Sequence, residues 1–410
     1  MIKKLLIANR GEIAVRIIRA CAESDITSVA IYTDTDRHAL HVEKANEAYN
    51  IGPQSVAGYL NAHRIVNLAV ATHCDALHPG YGFLSENPLL PEICRARGIR
   101  YVGPDAAVIR KMGDKVEARG AMQAAGIPVV PGSDGSLKDL DEARTLAATI
   151  GYPVMLKATT GGGGRGIRRC NSAADLEKNY QRVISEASKA FGSADIFLEK
   201  CIDRPRHIEV QILADTHGNT VHLFERDCSI QRRHQKLVEE APAPNLDDDV
   251  RSRLGDVACA AARAVDYVGA GTVEFLLEDG EFYFLEMNTR IQVEHPVTEL
   301  VTGVDIVQWQ LRIAGGEKLE LPESVAVPDG HAIECRISGE DPYAGFLPST
   351  GTIRELEVPG GPGVRWDGGI APGTEVGLEY DPLLGKLIVH GKTRLAAIAR
   401  MRRALDELAL

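Results

Sequence analysis

Between Glu286 and Glu294 the chain reads Glu-Met-Asn-Thr-Arg-Ile-Gln-Val-Glu, with a polar group at every second position. Residues two apart in an extended segment share a side. Glu286, Asn288, Arg290, Gln292 and Glu294 would then form one row of acceptor, amide, cation, amide and acceptor. Any half-exposed strand alternates in this way, but here a second acid is placed to meet the row. Glu274, in Gly-Thr-Val-Glu-Phe-Leu-Leu, precedes the turn signal Glu278-Asp279-Gly280 and the apolar run Glu281-Phe-Tyr-Phe-Leu. A two-residue Asp279-Gly280 turn puts Glu274 and Glu286 on opposite faces. A three-residue loop with Gly280 left-handed puts them on one face. Two carboxylates so close destabilise a sheet unless neutralised. With the Asn288 amide they make an all-oxygen set suited to Mg2+ (or Mn2+), a hard cation that also holds substrate phosphates.

A phosphate cradle would complete a nucleotide site. Gly151-Tyr-Pro-Val-Met-Leu-Lys157 reads as a strand, followed by Gly161-Gly-Gly-Gly-Arg-Gly166 and a second short strand, Ile167-Arg-Arg-Cys. Consecutive glycines let backbone N–H groups close on an anion, although a glycine run by itself is more often a flexible loop. No Gly-x-x-x-x-Gly-Lys-Ser/Thr pattern occurs, so this is not a P-loop.

The elements that must hold these groups fall in a plain order. Strand Leu5–Ala8, a helix over about Glu12–Ala22, strand Ser28–Tyr32, a helix near Ala62–Ala71 and strand Ala76–His78 alternate as a parallel β/α sheet requires. The first turn, Asn-Arg-Gly-Glu, lacks Gly-x-Gly-x-x-Gly, which weakens a dinucleotide reading. Met112 to about Gly126 reads as a helix, then Ile-Pro-Val-Val-Pro-Gly as a hinge. A lid is expected over 131–202, then an antiparallel body carrying the polar row. A Pro/Gly boundary at 321–330 precedes a Gly- and Pro-rich segment of short strands that ends on a helical run at the terminus. At 410 residues the chain needs more than one core. Its net charge of −11 argues against nucleic acid or an anionic membrane as partner. Eight cysteines without Cys-x-x-Cys spacing fit reduced thiols and a cytoplasmic setting. The apolar run after Met1 breaks at Asn9-Arg10, too short for a signal or spanning helix.

Taken together, Lys157 with its glycine flap, Glu199-Lys-Cys-Ile202, Glu274 with Glu286-x-Asn288, and Arg290-Ile-Gln-Val-Glu-His-Pro resemble the ATP-grasp enzymes. More narrowly the chain resembles biotin carboxylase, the subunit or domain found in acetyl-CoA, propionyl-CoA and pyruvate carboxylases. Ile7-Ala-Asn-Arg-Gly-Glu-Ile-Ala, His78-Pro-Gly-Tyr-Gly-Phe-Leu-Ser-Glu-Asn and Glu225-Arg-Asp-Cys-Ser-Ile-Gln-Arg-Arg-His-Gln-Lys236 extend the likeness, which runs from Met1 to Leu410. It implies a multidomain α/β and α+β fold: a Rossmann-like domain over 1–113, an ATP-grasp domain over 114–320 and a small β-rich domain over 331–410. Family members continue past the final helix, so the last domain is expected to be incomplete.

The resemblance also implies a reaction in which ATP and bicarbonate form carboxyphosphate and CO2 passes to biotin carried on another protein or domain. Glu294 corresponds to the base that deprotonates bicarbonate. Arg290 would grip the planar anion with its fork of donors, aided by Gln292 and the Val293 N–H. Lys115, Lys157, Gly163, Gly164, Glu199, Lys200, Ile202, His207, Gln231 and His234 fall at ATP-binding positions. Lys236 serves both phosphate and bicarbonate, spreading developing charge over a fixed cation. Arg336 matches the arginine that steadies negative charge on biotin, and Tyr81 is assigned to the biotin side with Glu86 nearby. The implied partners are a biotin carboxyl carrier, a carboxyltransferase component and a second copy of the chain.

Bland readings compete. Lys115 and Lys157 alone read as surface lysines. Arg232-Arg233-His234-Gln-Lys236 alone reads as a solvated charged stretch. Cys228 has no partnered base and reads as a packed thiol; His38 and His41 lack a third ligand, so no zinc is assigned. Two positions depart from the family: Thr160 replaces a flap glycine, and Pro362 stands where many bacterial subunits carry an aromatic near the dimer contact. Another ATP-grasp carboxylate–amine ligase would share the metal pair but not both long motifs. A catalytically silent scaffold would have lost the base or a metal ligand, and neither is lost.

Overall fold

The computed structural model describes residues 2–53, 55–158, 166–191, 195–321 and 327–410. Five parallel strands in the order Glu47–Asn50, Thr27–Tyr32, Lys4–Ile7, Ala76–His78 and Arg100–Tyr101 form the N-terminal sheet, as the alternating pattern required. Helix Gly11–Glu23 packs against it through Ile13, Ile17 and Ala20, spaced for one helical face. The single helix expected from Met112 to about Gly126 is two. Ala106–Gly113 ends at Asp114, whose side chain accepts from the N–H groups of Val116 and Glu117 and so caps a new helix, Lys115–Ala124.

The segment expected as a lid carries three antiparallel strands, Ile167–Cys170, Val154–Ala158 and Ile196–Lys200, backed by helices Leu140–Ile150 and Ala173–Phe191. Its core of Ala143, Leu156, Leu176, Val183 and Leu198 is its own. Gly163 and Gly164 of the expected flap, with Thr160, lie outside the described residues.

One eight-stranded sheet then runs through the rest of the chain, in the order Glu281–Asn288, Gly269–Glu278, Arg206–Ala214, Thr220–Arg232, Gln235–Ala241, His331–Ser338, Leu383–Gly391 and Val364–Gly368. It continues across the Pro/Gly boundary at 321–330, because Gln235–Ala241 pairs antiparallel with His331–Ser338 from Val238–Cys335 to Ala241–Ala332. The closing helix Arg394–Glu407 seats Ala397, Met401 and Ala404 on this sheet.

The hairpin that carries the acids follows neither alternative read from the sequence. Its turn is the two-residue one, with Asp279 at φ 51° and Gly280 at φ 83°, both in the left-handed region that type I′ hairpins require. That turn alone would separate the acids. A register shift between Glu274 and Phe275 leaves Leu285 unpaired, so Glu274 faces Glu286 directly while Phe275 faces Phe284. The polar row is not one strand either. The strand ends at Asn288, residues 289–294 turn, and Glu294 occupies the N-cap position of helix His295–Thr302.

Candidate active site

A cleft of about 1010 Å³ opens between the lid strands and the large sheet. Although the row is broken, Glu286, Asn288, Arg290, Gln292, Val293 and Glu294 all line it. Glu274, Lys236, Arg336, Tyr81, Lys157, Glu199, Lys200, Ile202, His207, Gln231 and His234 line it too. Lys115 is placed differently. At the start of its helix it borders a small pocket with Arg119, Asp134 and Phe197, yet its charge still reaches Glu286 and opposes part of the rise in that carboxyl's pKa.

Lys236 is the hub. The strand Thr220–Arg232 returns as Gln235–Ala241 through Arg233 and His234, at φ 52° and 66°. Such backbone is strained for residues with a Cβ and is held only by firm surroundings. The turn pairs Lys236 with Gln231 and aims the ammonium inward, where it donates to Glu274 Oε1 at 2.9 Å, to Glu294 Oε1 at 2.7 Å and to Glu209. Burial alone would favour a neutral lysine, but these three carboxylates hold its pKa well above the ordinary value.

Glu294 is gripped from two sides. Its second oxygen accepts from Arg336 Nη2 at 2.9 Å, and Arg336 Nε donates to Glu239 Oε1 at 2.7 Å. Burial raises the Glu294 carboxyl, but Lys236, Arg336 and Arg226 together take it well below the usual carboxylate range. The acid is therefore ionised, and its neighbours keep it oriented.

Glu274 accepts at one oxygen from Lys236, from Asn288 Nδ2 and from Gln292 Nε2, the last two at 2.8 Å. Its other oxygen lies 2.7 Å from His207 Nε2. Burial opposes its charge, but Lys236 and His207 hold its pKa low. Glu286 faces open cleft yet is ringed by protein, and both that partial desolvation and the charge of Glu274 push its pKa up. A carboxylate destabilised by its neighbour on an otherwise oxygen-rich face fits a divalent cation. Asn288 turns its oxygen to Arg290 Nη2, 2.9 Å away, so the donors are preorganised by hydrogen bonds. Arg290 Nε lies 3.0 Å from Glu86.

Lys157 and Glu199 form an ion pair across adjacent strands of the three-stranded sheet. Lys200 points the other way and donates to the Gly151 carbonyl at 3.0 Å, bracing the strand's start. Gln231 donates to the Cys228 carbonyl at 2.9 Å. Tyr81 gives its hydroxyl to Glu12, which also lies 3.1 Å from Lys386. Cys228 is fully buried, its thiol pushed up by burial and by Glu209. His41 is buried with Nε2 3.2 Å from the Ile31 carbonyl, and burial lowers its pKa to about 4.

Sequence reasoning passed over Glu209 and Arg226. Arg226 is fully buried and uses all five N–H donors: Glu209 at 2.5 Å, Gln211 at 2.8 Å, Thr298 at 2.9 Å, Thr272 at 3.1 Å and Gln292 at 2.7 Å. It fixes Glu209 beneath Lys236 and Gln292 beside Glu274. A signal was present: His207, Glu209 and Gln211 alternate with Ile208, Val210 and Ile212, putting three polar side chains on one face, with Glu209 and Gln211 buried.

Comparison with known proteins identifies the family. Residues 1–109 match the biotin carboxylase N-terminal domain, 114–322 the carbamoyl-phosphate synthase L chain ATP binding domain, and 334–410 the biotin carboxylase C-terminal domain. Biotin carboxylase from Nostoc sp. is 54% identical over 409 residues, covering 99% of this chain and 92% of that protein. The 2-oxoglutarate carboxylase small subunit of Hydrogenobacter thermophilus is 53% identical, covering 99% of this chain and 86% of that one. The biotin carboxylase domain dimer of the Hydrogenobacter 2-oxoglutarate carboxylase, solved with MgADP, ADP and bicarbonate, superposes with a TM-score of 0.94 at 52% identity, covering 100% of this chain and 90% of that one. On this likeness along its whole length, the chain belongs to the biotin carboxylase family.

Proposed function

We propose that the cleft performs the ATP-dependent carboxylation of biotin by bicarbonate through carboxyphosphate, with the residues in the following roles. One observation carries this reading: ionised Glu294 is clamped between Lys236 and Arg336, in the same cleft as Arg290 and the facing pair Glu274 and Glu286. Bicarbonate is a poor nucleophile until it loses its proton, and Glu294 is the acceptor. Arg290 holds the anion in the plane of its guanidinium, with Gln292 and the Val293 N–H fixing the other edge. Lys236, Lys157 and His207, with Lys115 acting from its helix terminus, spread the charge that develops on the transferring phosphoryl group. Glu274, Glu286 and the Asn288 oxygen would hold Mg2+ or Mn2+, which when bound neutralises the ATP phosphates. Glu199, Lys200, Ile202, Gln231 and His234, with Gly163 and Gly164, surround the nucleotide. Arg336 stabilises negative charge on biotin, and Tyr81 lines the biotin side.

The domain limits 1–113, 114–320 with its lid over 131–202, and 331–410 belong to the same reading. Biotin arrives on a carboxyl carrier protein or domain, and a carboxyltransferase component consumes the carboxylated product. The chain works as a homodimer in the cytoplasm. Among the described residues no helix is long and apolar enough to cross a membrane. ATP hydrolysis that requires bicarbonate and rises with free biotin tests the reading. Hydrolysis indifferent to both would overturn it in favour of another ATP-grasp ligation.

A further inference from the structure

Behind Arg336, outside the lining of the cleft, two glutamates oppose each other in the interior. Glu239 on Gln235–Ala241 and Glu334 on His331–Ser338 are direct cross-strand partners, and neither has any exposed surface. Side chains so paired lie on one face with their Cβ atoms about 5 Å apart. Arg336 is two residues beyond Glu334, on that same face, and Lys386 is Arg336's partner on the next strand. Among the described residues, only Glu239 Oε1 of the four carboxylate oxygens has a hydrogen-bond partner, Arg336 Nε at 2.7 Å; Glu239 Oε2 and both oxygens of Glu334 have none. Lys386 is engaged elsewhere: it donates to the Val293 carbonyl at 2.7 Å and lies 3.1 Å from Glu12.

Two buried carboxylates in direct register cannot both be ionised without a cation between them. We propose that Glu239 and Glu334 carry a single negative charge between them, with the proton on Glu334, and that Glu239 is thereby a positioning residue for Arg336. The anion sits where it is compensated, on the oxygen that accepts from Arg336. A neutral Glu334 leaves Arg336 pulled one way by Glu239 and the other by Glu294, so its remaining donors face the cleft. An ionised Glu334 would compete for the same guanidinium and draw it back into the sheet.

The surroundings are consistent with this. The charged groups acting on Glu334 are Lys386, Glu239, Arg336 and Glu294, and burial is the largest influence, raising its pKa well above the ordinary value. Glu239, with Lys236 also acting on it, is raised to about 7, the pull of Arg336 opposing its burial. Helix His295–Thr302, packed across the strand, contributes His295, kept neutral by burial and by Lys386 and Arg16.

The role given to Glu239 rests on the assignment of Arg336 to the biotin half-reaction; the protonation of Glu334 does not. The test therefore has a readout apart from activity. The infrared difference spectrum of the full chain against its Glu334→Gln variant should contain one protonated-carboxyl C=O band that shifts in D2O and persists at about pH 8, well above the ordinary glutamate range. If Glu334→Gln does not fold, the spectrum of the unaltered protein serves: absence of any protonated-carboxyl band at about pH 8, where ordinary carboxyls are ionised, would overturn the proposal. In kinetics, Glu334→Gln, which copies the neutral acid, should keep kcat/KM for biotin within about two-fold. Glu239→Gln should lose about ten-fold or more there, as loss of an orienting partner typically does, and lose less in biotin-independent ATP cleavage. No protonated band, or equal losses in the two variants, would sink the pair. A band present with Arg336→Ala equally harmful to both half-reactions would leave the shared proton standing and refute the role of Arg336 instead.

Discussion

Lys236 Nζ lies 2.7 Å from one oxygen of Glu294 while Arg336 holds the other at 2.9 Å, so the carboxylate proposed as the base is flanked by cations on both sides. Cations lower the pKa of a base and so weaken its pull on a proton. Bicarbonate entering between them would take over part of their hydrogen bonding and free Glu294 to accept. In the proposed mechanism the two half-reactions meet at this carboxylate, and mutation would separate their residues.

Glu294→Gln should reduce bicarbonate-dependent ATP cleavage by about 2 to 4 powers of ten, the usual worth of a general base. ATP synthesis from ADP and carbamoyl phosphate, which needs no bicarbonate deprotonation, should suffer far less. Arg336→Ala should lose biotin carboxylation more than biotin-independent ATP cleavage. Equal loss of both activities in both variants would show that the residues act as one binding cluster.

Glu286→Gln should lower ATP turnover at limiting Mg2+ by orders of magnitude while the fold survives, since the change relieves the crowding with Glu274. Turnover indistinguishable from the unaltered chain, measured across a Mg2+ titration, would rule out this ligand set.

Arg226→Leu should be among the most damaging changes in the chain. It leaves Glu209 Oε1 and the Gln292 oxygen without the donor they use now, although Lys236 still serves the other Glu209 oxygen, and removing one partner of a buried ion pair typically costs about 3–5 kcal/mol. Thermal melting would register the loss even in an assay blind to catalysis; a melting point unchanged within error would contradict the buried network.

Asp215 accepts from the backbone N–H groups of Leu319, Asn219 and His217 and from the Asn219 side chain, and these bonds bring its pKa down to about 2. A depressed carboxylate stabilises the fold above its unfolded pKa and loses that contribution as pH falls through its folded pKa. Asp215→Asn should therefore cost at most about 2 kcal/mol at neutral pH, with the penalty shrinking below about pH 4. A penalty independent of pH in chemical unfolding would show that packing, not charge, is what the residue supplies.

The segment proposed as a lid owns a separate core and meets the large sheet across the cleft, so ATP should close it as a unit. Hydrogen exchange of Leu140–Ile150 and Val154–Ala158 should slow on adding ATP. Equal protection with and without nucleotide would count against closure.

The sequence by itself determined the parallel β/α order that opens the chain and supplied the candidates for the chemistry, hard oxygens for an ion and a carboxylate with cations to flank it. These are local in spacing, and side-chain periodicity reports them directly. Tertiary structure alone decided how they meet. Glu274 and Glu286 share a face because Leu285 bulges, a register event that no turn signal reveals. Gln292 and Glu294 reach the cleft by a turn and a helix cap rather than by strand alternation. Arg226, Glu239 and Glu334 owe their surroundings to strands far apart in the chain, and burial among long-range partners is what makes a charged side chain structural.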